Sequence, residues 1–170
     1  MRGESIPPVA DGDAAEQQLI DLMNRYQQSL VGYVALLLAD YHLSLDVTQE
    51  TFVRAYQNLR KERPVNARWL WTVARNLALN ELRARKRQGG GEDDLEQALD
   101  EMTSETDETR AVRVALDTLS SEDREVLYLH IVDRFQTAEI AAMFGTRATA
   151  VRMRLVRARR RFRAIYEGNP

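Results

Sequence analysis

The sequence predicts an all-α fold: two small helical domains joined by a flexible acidic linker, with a helix-turn-helix as the C-terminal domain. Apolar residues recur at helical spacing along most of the chain, and no segment shows the alternation of a strand. Three consecutive glycines, residues 89–91, separate the two helical parts. Two short amphipathic patterns meet at Gly145, where glycine permits the positive φ of a tight turn between helices.

Composition limits the classes of protein that this chain can represent. Its 170 residues suffice for one ordinary domain or two small ones. The absence of cysteine excludes disulfides and thiolate zinc sites, and it fits a reducing cytoplasm. The longest apolar run, Val34 to Ala39, is far shorter than the ~18–20 residues of a membrane span. The sequence therefore predicts a cytoplasmic protein without membrane insertion.

The distribution of charge is more informative than the net charge of −2. From Arg54 to Arg87 there are ten basic residues against two acidic ones. From Gln88 to Arg110 there are nine acidic residues against one basic one. Such blocks indicate surfaces specialised for partners of opposite charge.

We divide the chain into four segments: a disordered tail at 1–14, a domain at 15–87, an acidic linker at 88–110 and a domain at 111–167. In the first domain a helical pattern starts at Ala15, and Gly32 is expected to bend or divide it. The next helix is expected to run from Ser44, as its N-cap, to Leu59. A long helix is expected to open at Trp69.

The second domain is expected to begin with a short amphipathic helix at Ala111. Ser120 and Asp123 resemble a capping box for the following helix, whose Val126, Leu127 and Ile131 are expected to face inward.

The final helices carry the strongest functional signal. Val151, Leu155 and Ala158 form one apolar line of the last helix, and no acidic residue occurs between Glu139 and Glu167. Eight arginines occupy its other faces and the turn before it. A solvated surface helix normally mixes signs, so this pattern favours a helix that contacts phosphates and guanine edges in a major groove.

A second polar line follows the helix after Trp69. Asn76, Asn80 and Arg83 lie one turn apart, and asparagine can bond base edges while arginine holds phosphates. Nearby tryptophans suggest aromatic platforms for unstacked bases. We expect Trp69 to pack in the core, whereas for Trp71 core packing and base stacking both stay open.

These segments together resemble a bacterial RNA polymerase sigma factor of the extracytoplasmic-function group. Residues 46–55 (DVTQETFVRA) are similar to the core-binding segment D-x-x-Q-E-T-F-x-R-A of that family. Residues 69–83 (WLWTVARNLALNELR) are similar to its W-L-x-x-I-A-R-N-x-A-x-D-x-L-R helix. Residues 138–141 (AEIA), Gly145 and residues 151–158 (VRMRLVRA) resemble its helix-turn-helix. Three motifs in the right order are far more specific than one.

The resemblance implies a factor that binds the polymerase core and directs promoter-specific initiation at −10 and −35 elements. It implies contacts with the clamp helices of the largest polymerase subunit by Asp46, Gln49, Glu50 and Arg54. It implies −10 recognition and melting by Lys61, Arg63, Asn66, Arg68, Arg75, Asn76, Asn80 and Arg83. It implies −35 recognition by Arg147, Thr149, Arg152, Met153, Arg154, Val156, Arg157 and Arg160. Many such factors also have an anti-sigma factor as a partner.

The chain departs from the family pattern at the helix caps. Gln136 and Arg147 stand where the family usually has serine, so Thr137 and Thr146 are expected to cap one residue away. Residues 41–45 (YHLSL), directly before the core-binding segment, carry none of the acids that the family often has there.

Three other functions account less well for the sequence. A stand-alone helix-turn-helix regulator explains the second domain but leaves residues 46–55 and the Trp69 helix without a role. An enzyme is disfavoured because His42 and His130 lack ligand spacing and no nucleophile–base arrangement occurs. We therefore expect no catalytic residue, no metal and no cofactor. A helical adaptor that binds only protein does not account for the arginines.

Overall fold

The computed structural model describes residues 11–87 and 107–168, and within these residues every regular element is a helix. The N-terminal lobe contains α1 (Asp11–Leu38), α2 (Tyr41–Leu59) and α3 (Ala67–Arg87). The C-terminal lobe contains α4 (Asp107–Asp117), α5 (Ser121–Ile131), α6 (Thr137–Phe144) and α7 (Ala148–Tyr166). The predicted all-α class with two small helical domains is confirmed. Residues 1–10 of the predicted tail (1–14) and residues 88–106 of the predicted linker (88–110) lie outside the described residues, whereas residues 11–14 and 107–110 are helical.

Helix α1 is continuous across Gly32, so the expectation that Gly32 divides it is wrong. Gly32 itself is buried, and Val31, Tyr33 and Val34 beside it are at most 8% exposed. Packing on all sides stabilises the helix by more than the ~1 kcal/mol that an internal glycine costs. The helix also begins at Asp11, four residues before the expected Ala15.

The junction between α1 and α2 is set by two adjacent residues. Ala39 has φ +51°, which ends α1, and the Asp40 side chain accepts the Leu43 N–H at 2.9 Å as the N-cap of α2. The expected cap, Ser44, is instead buried inside the helix, where its hydroxyl donates to the Tyr41 carbonyl at 2.6 Å. Aspartate and serine are both favoured N-cap residues. Asp40 caps the helix because the chain reverses at Ala39, directly before it.

Helix α3 starts two residues before the expected Trp69. The Asn66 side chain accepts the Trp69 N–H at 2.9 Å and caps it. Ser120 caps α5 as expected, accepting the Asp123 N–H at 3.2 Å. In the helix-turn-helix the expected threonine caps are wrong: Glu139 accepts the Gln136 N–H at 2.8 Å, and α7 begins after Arg147.

Each lobe has its own buried side chains, and the lobes also pack on each other. In the N-terminal lobe the core includes Leu30, Val34, Phe52, Leu70 and Ala74; in the C-terminal lobe it includes Leu119, Val126, Leu129, Ile140, Val151 and Leu155. Helix α1 contacts α5, and α3 contacts α6. Ile131, expected inside, is 50% exposed at the last residue of α5, whereas Phe135 in the following loop is buried.

Candidate nucleic-acid interface

The orientation of α7 follows from its turn and from three buried side chains. Gly145 has φ +62°, and the next N–H, that of Thr146, bonds back to the Ala141 carbonyl at 2.9 Å. Val151, Leu155 and Ala158 are at most 4% exposed and pack on α5 and α6. The remaining faces of α7 therefore point outward, as the apolar spacing predicted.

Most of the residues expected to meet a −35 element lie on those outward faces. Exposed side chains are Arg147, Thr149, Arg152, Met153, Val156, Arg157 and Arg160. Met153 and Val156 are 61% and 62% exposed, which is unusual for apolar side chains in water. Apolar groups beside arginines suit a major groove, where thymine methyls and guanine acceptors lie side by side.

Two arginines of α7 are held by the C-terminal lobe itself. Arg154 is 2.6 Å from the Glu122 carboxylate, and Arg161 is 3.1 Å from that of Asp123. Both acids lie in the first turn of α5, so the pairs join α5 to α7. Arg154 is consequently half-buried and less available than its neighbours.

The residues expected to meet a −10 element lie on α3 and on the loop before it. Lys61, Arg63, Asn66, Arg68, Asn76, Asn80 and Arg83 are exposed. Asn66 also caps α3, and Arg83 donates to the Asn80 side chain at 3.0 Å. The polar line predicted along α3 is thus present on its surface.

Arg75 differs from the other residues of this set. Its Nε donates to the Glu125 carboxylate at 2.7 Å, and its guanidinium lies 4.1 Å from the centre of the Phe144 ring. Glu125 and Phe144 belong to the C-terminal lobe, so Arg75 points into the junction of the lobes.

Trp71, for which two interpretations were open, is 2% exposed and packs in the core. Its indole N–H donates to Asp133 at 2.7 Å, and its ring meets that of Phe135 edge-on at 5.4 Å. Trp69 is half-buried.

The residues expected to contact polymerase share the exposed side of α2. Asp46, Gln49, Glu50 and Arg54 are all exposed, and Glu50 pairs with Arg54 at 2.7 Å one turn away. Beside them Leu45 and Val53 are 38% and 45% exposed. A mixed surface of charge and apolar groups is typical of protein–protein interfaces.

The structure brings together a group of residues that the sequence did not connect with one another. We call seven residues at the junction of the lobes the interlobe contact. The N-terminal lobe contributes Tyr33, Trp71 and Arg75, and the C-terminal lobe contributes Glu125, Asp133, Phe135 and Phe144. One sequence signal pointed to it: Glu125 stands one helical turn before the buried Leu129, so an acid occupies an apolar line.

Burial alters the acid–base properties of this contact. It raises the pKa of Asp133 to about 7, although the Trp71 hydrogen bond acts in the opposite direction. Burial, and then the charge of Glu125, raise the pKa of the Tyr33 phenol well above its usual value. Tyr33 donates to Glu125 at 2.6 Å.

Two findings on the described residues concern metal sites and membrane spans. Among residues 11–87 and 107–168, no group of three or more histidine, cysteine, aspartate or glutamate side chains is arranged to hold a metal ion. Within the same residues no helix is long and apolar enough to cross a membrane.

Comparison with known proteins assigns both lobes. Residues 22–88 match the family described as Sigma-70 region 2, and residues 109–162 match Sigma-70, region 4. The chain therefore belongs to the sigma-70 family of RNA polymerase sigma factors, in its extracytoplasmic-function group, as the motifs predicted.

Individual relatives agree with this assignment. The chain is 34% identical to the ECF RNA polymerase sigma factor SigL of Mycobacterium tuberculosis over 86% of this chain and 88% of that protein. It is 28% identical to the probable RNA polymerase sigma factor RfaY of Xanthomonas campestris, over 94% of this chain but only 42% of that longer protein. Its fold resembles that of the sigma factor RpoE of Bartonella quintana, whose structure was solved in complex with the anti-sigma factor NepR. The TM-score is 0.68 at 23% sequence identity, and the match covers 91% of this chain and 98% of that one.

Proposed function

We propose that this chain binds the RNA polymerase core and directs transcription initiation at promoters with −10 and −35 elements. The observation that carries the proposal is the presence, in one chain, of both sigma-70 regions, each with an exposed basic surface: α3 with its preceding loop, and α7. Neither surface alone defines a promoter, whereas two surfaces on one chain read two separated elements.

The division of work between the surfaces is part of the proposal. The exposed residues of α7 contact the −35 duplex, and Arg152, near the helix N-terminus, reaches base edges. The exposed residues of α3 and its loop hold the −10 strand, whose unpaired bases must leave the stack at a cost of a few kcal/mol. The charged face of α2 binds the clamp helices of the largest polymerase subunit.

The proposed function has three further parts. The chain acts as a binding factor and not as an enzyme, because its polar surfaces suit macromolecular contact. It acts in the cytoplasm, where polymerase and promoter DNA are found. An anti-sigma factor is a third partner, since the structurally similar RpoE is bound by one.

The test is transcription from a genomic promoter library by core polymerase with and without the purified chain, followed by mapping of start sites. We expect new start sites that share upstream sequence at both elements. A tight and specific shift of promoter duplex by the chain alone, with no new transcripts, would instead support a stand-alone regulator. That alternative leaves the sigma-70 region 2 match and the face of α2 without a role.

A further inference from the structure

An open apolar groove lies on the C-terminal lobe, between α4, the end of α5 and α7. It has a volume of about 480 Å³, and Val112 and Leu116 of α4 form one side of it. Ile131 and Val132 also line the groove, and they are 50% and 54% exposed although both are apolar. Neighbouring exposed apolar side chains of this kind mark a surface that binds another group.

The α7 side of the groove is aromatic and positively charged. Phe162 and Tyr166 stack with their ring centres 5.7 Å apart, and Arg159 and Arg163 lie beside them, one helical turn from each other. Arg163 is 3.4 Å from Glu167, but both side chains are mostly exposed, so water screens this pair. The groove therefore suits an amphipathic helix with acids along one flank.

The chain itself contains a segment with these properties, in the acidic block that precedes α4. The apolar residues of 95–102 (LEQALDEM) recur at helical spacing on one face: Leu95, Ala98, Leu99 and Met102. Glu96 and Asp100 fall one turn apart on one flank of that face, which matches the spacing of the two arginines on α7. Apolar pattern and charge therefore both complement the groove.

The length of the connection also allows this segment to reach the groove. Only residues 103–106 separate Met102 from Asp107, where α4 begins. A connection of about 2–8 residues is usual between neighbouring antiparallel helices. Eight helical residues extend ~12 Å and the eleven of α4 extend ~16 Å, at 1.5 Å each. The segment can therefore fold back along α4 and lie beside Val112 and Leu116.

We propose that residues 95–102 dock in this groove as one amphipathic helix. The apolar face of the segment covers Ile131 and Val132, and its acidic flank faces Arg159 and Arg163. A helix of eight residues is unstable alone in water, so the segment is helical only while it is docked. None of the residues that line the groove belongs to the sets expected to contact a −10 element, a −35 element or the clamp helices, so the inference does not rest on the proposed function.

Docking is testable by disulfide formation because the chain contains no cysteine. Leu99→Cys is combined with Ile131→Cys in the full chain, and closure of the disulfide is followed under mild oxidation. The matched control combines Gln97→Cys with Ile131→Cys, since Gln97 is two residues away in sequence but on the opposite face of the segment. We expect the Leu99 pair to close about tenfold faster than the control pair, within one chain, because docking raises the effective concentration of one thiol only.

The other outcomes of this experiment overturn the proposal. Equal rates of closure for the two pairs show that the segment is a random tether and leave the groove to a separate partner protein. A disulfide that joins two chains, with none closed within a chain, shows that the groove holds the segment of a second copy.

Hydrogen exchange of the cysteine-free chain measures the docked helix without changing the segment. Arg159→Glu reverses a charge on the groove, and Arg60→Glu is the matched reversal of an exposed arginine on the N-terminal lobe. We expect the amides of residues 95–102 to exchange about tenfold faster in Arg159→Glu than in wild type, and at the wild-type rate in Arg60→Glu. Thermal melting checks that both variants fold, and Leu99→Asp gives the same comparison should Arg159→Glu unfold. Exchange of these amides at the rate of an unstructured chain in wild type overturns the docked helix.

Discussion

Trp71 of α3 and Asp133 of the loop after α5 form a hydrogen bond across the two lobes, with 2.7 Å between the indole nitrogen and a carboxylate oxygen. The other oxygen of Asp133 is buried without a hydrogen-bond partner in the structure. A carboxylate in such a place is more stable when protonated, which agrees with the rise of its pKa to about 7.

The first prediction is a pH dependence of stability. Burial in the folded chain raises the Asp133 pKa from 3.8 to about 7, so folding binds a proton. This contribution to stability is fully present below pH ~4 and is lost as pH rises through about 7. The free energy of unfolding, measured in urea, should therefore fall between pH 5.5 and pH 8 at constant salt.

Several other ionisable groups face Asp133 or lie close to it. The phenols of Tyr33 and Tyr128 have pKa values raised by burial, and they stay neutral over this range. The Arg75–Glu125 pair adjoins Tyr33, and the His130 ring lies 2.9 Å from the Phe135 carbonyl oxygen. Asp133→Asn tests Asp133 separately from these groups: the variant should not show the fall in stability between pH 5.5 and pH 8. Persistence of the full pH response in Asp133→Asn would assign it to another group.

The sequence predicts structural features that depend on neighbouring residues better than features that depend on residues far apart in the chain. The helices, the αL turn at Gly145 and the outward face of α7 follow from spacing within a few residues. The exact caps were missed at Asp40 and Gln136 because several nearby side chains are able to cap a helix. Ile131 was placed inside because periodicity does not show where a helix stops.

The interlobe contact lies beyond such reasoning. Tyr33 and Glu125 are 92 residues apart, and nothing local to either residue specifies the other. Arg75 was expected to face DNA with Asn76, since both belong to one motif, yet the structure turns Arg75 toward the C-terminal lobe. Contacts between the lobes depend on the surfaces of both folded lobes. A single sequence does not show which residues of these surfaces meet.

A second prediction concerns polymerase binding. Asp46→Arg and Glu50→Arg should each weaken binding of the chain to core polymerase while leaving its thermal melting unchanged. Both carboxylates are exposed on α2, so charge reversal introduces repulsion without leaving a cavity. Competition with a labelled sigma factor for core measures the effect, and Glu16→Arg on α1 is the control. Equal core affinity of both variants and wild type would place the docking surface elsewhere.

A third prediction tests the turn of the helix-turn-helix. Gly145 has φ +62°, and a Cβ added there meets no atom within 4 Å, so Gly145→Ala introduces backbone strain and no clash. We expect a loss of about 1 kcal/mol in the free energy of unfolding, measured in urea. Gly145→Asn should lose less, since asparagine tolerates the left-handed region better than alanine. A loss of several kcal/mol in Gly145→Ala would show that the turn packs more tightly than the structure indicates.

The last prediction separates base reading from phosphate contact on α7. Arg152 and Arg160 are both exposed, two turns apart on the same helix, so each alanine variant removes a surface cation without disturbing the core. Arg152 lies in the first turns, where side chains of a helix in the major groove reach base edges. Arg152→Ala should therefore relax preference at one position of the −35 element, at a cost of ~1–3 kcal/mol if the contact is bidentate to guanine.

Arg160 lies late in the helix, where a phosphate contact is expected. Arg160→Ala should weaken all −35 sequences alike and reduce the slope of log affinity against log salt by ~1. The measurement is holoenzyme binding to a set of single-base −35 variants at several salt concentrations, with melting as the check on folding. Each variant serves as the control for the other, because the charge lost is the same. Identical losses across all −35 variants for both substitutions would contradict the assignment of base contacts to the start of α7.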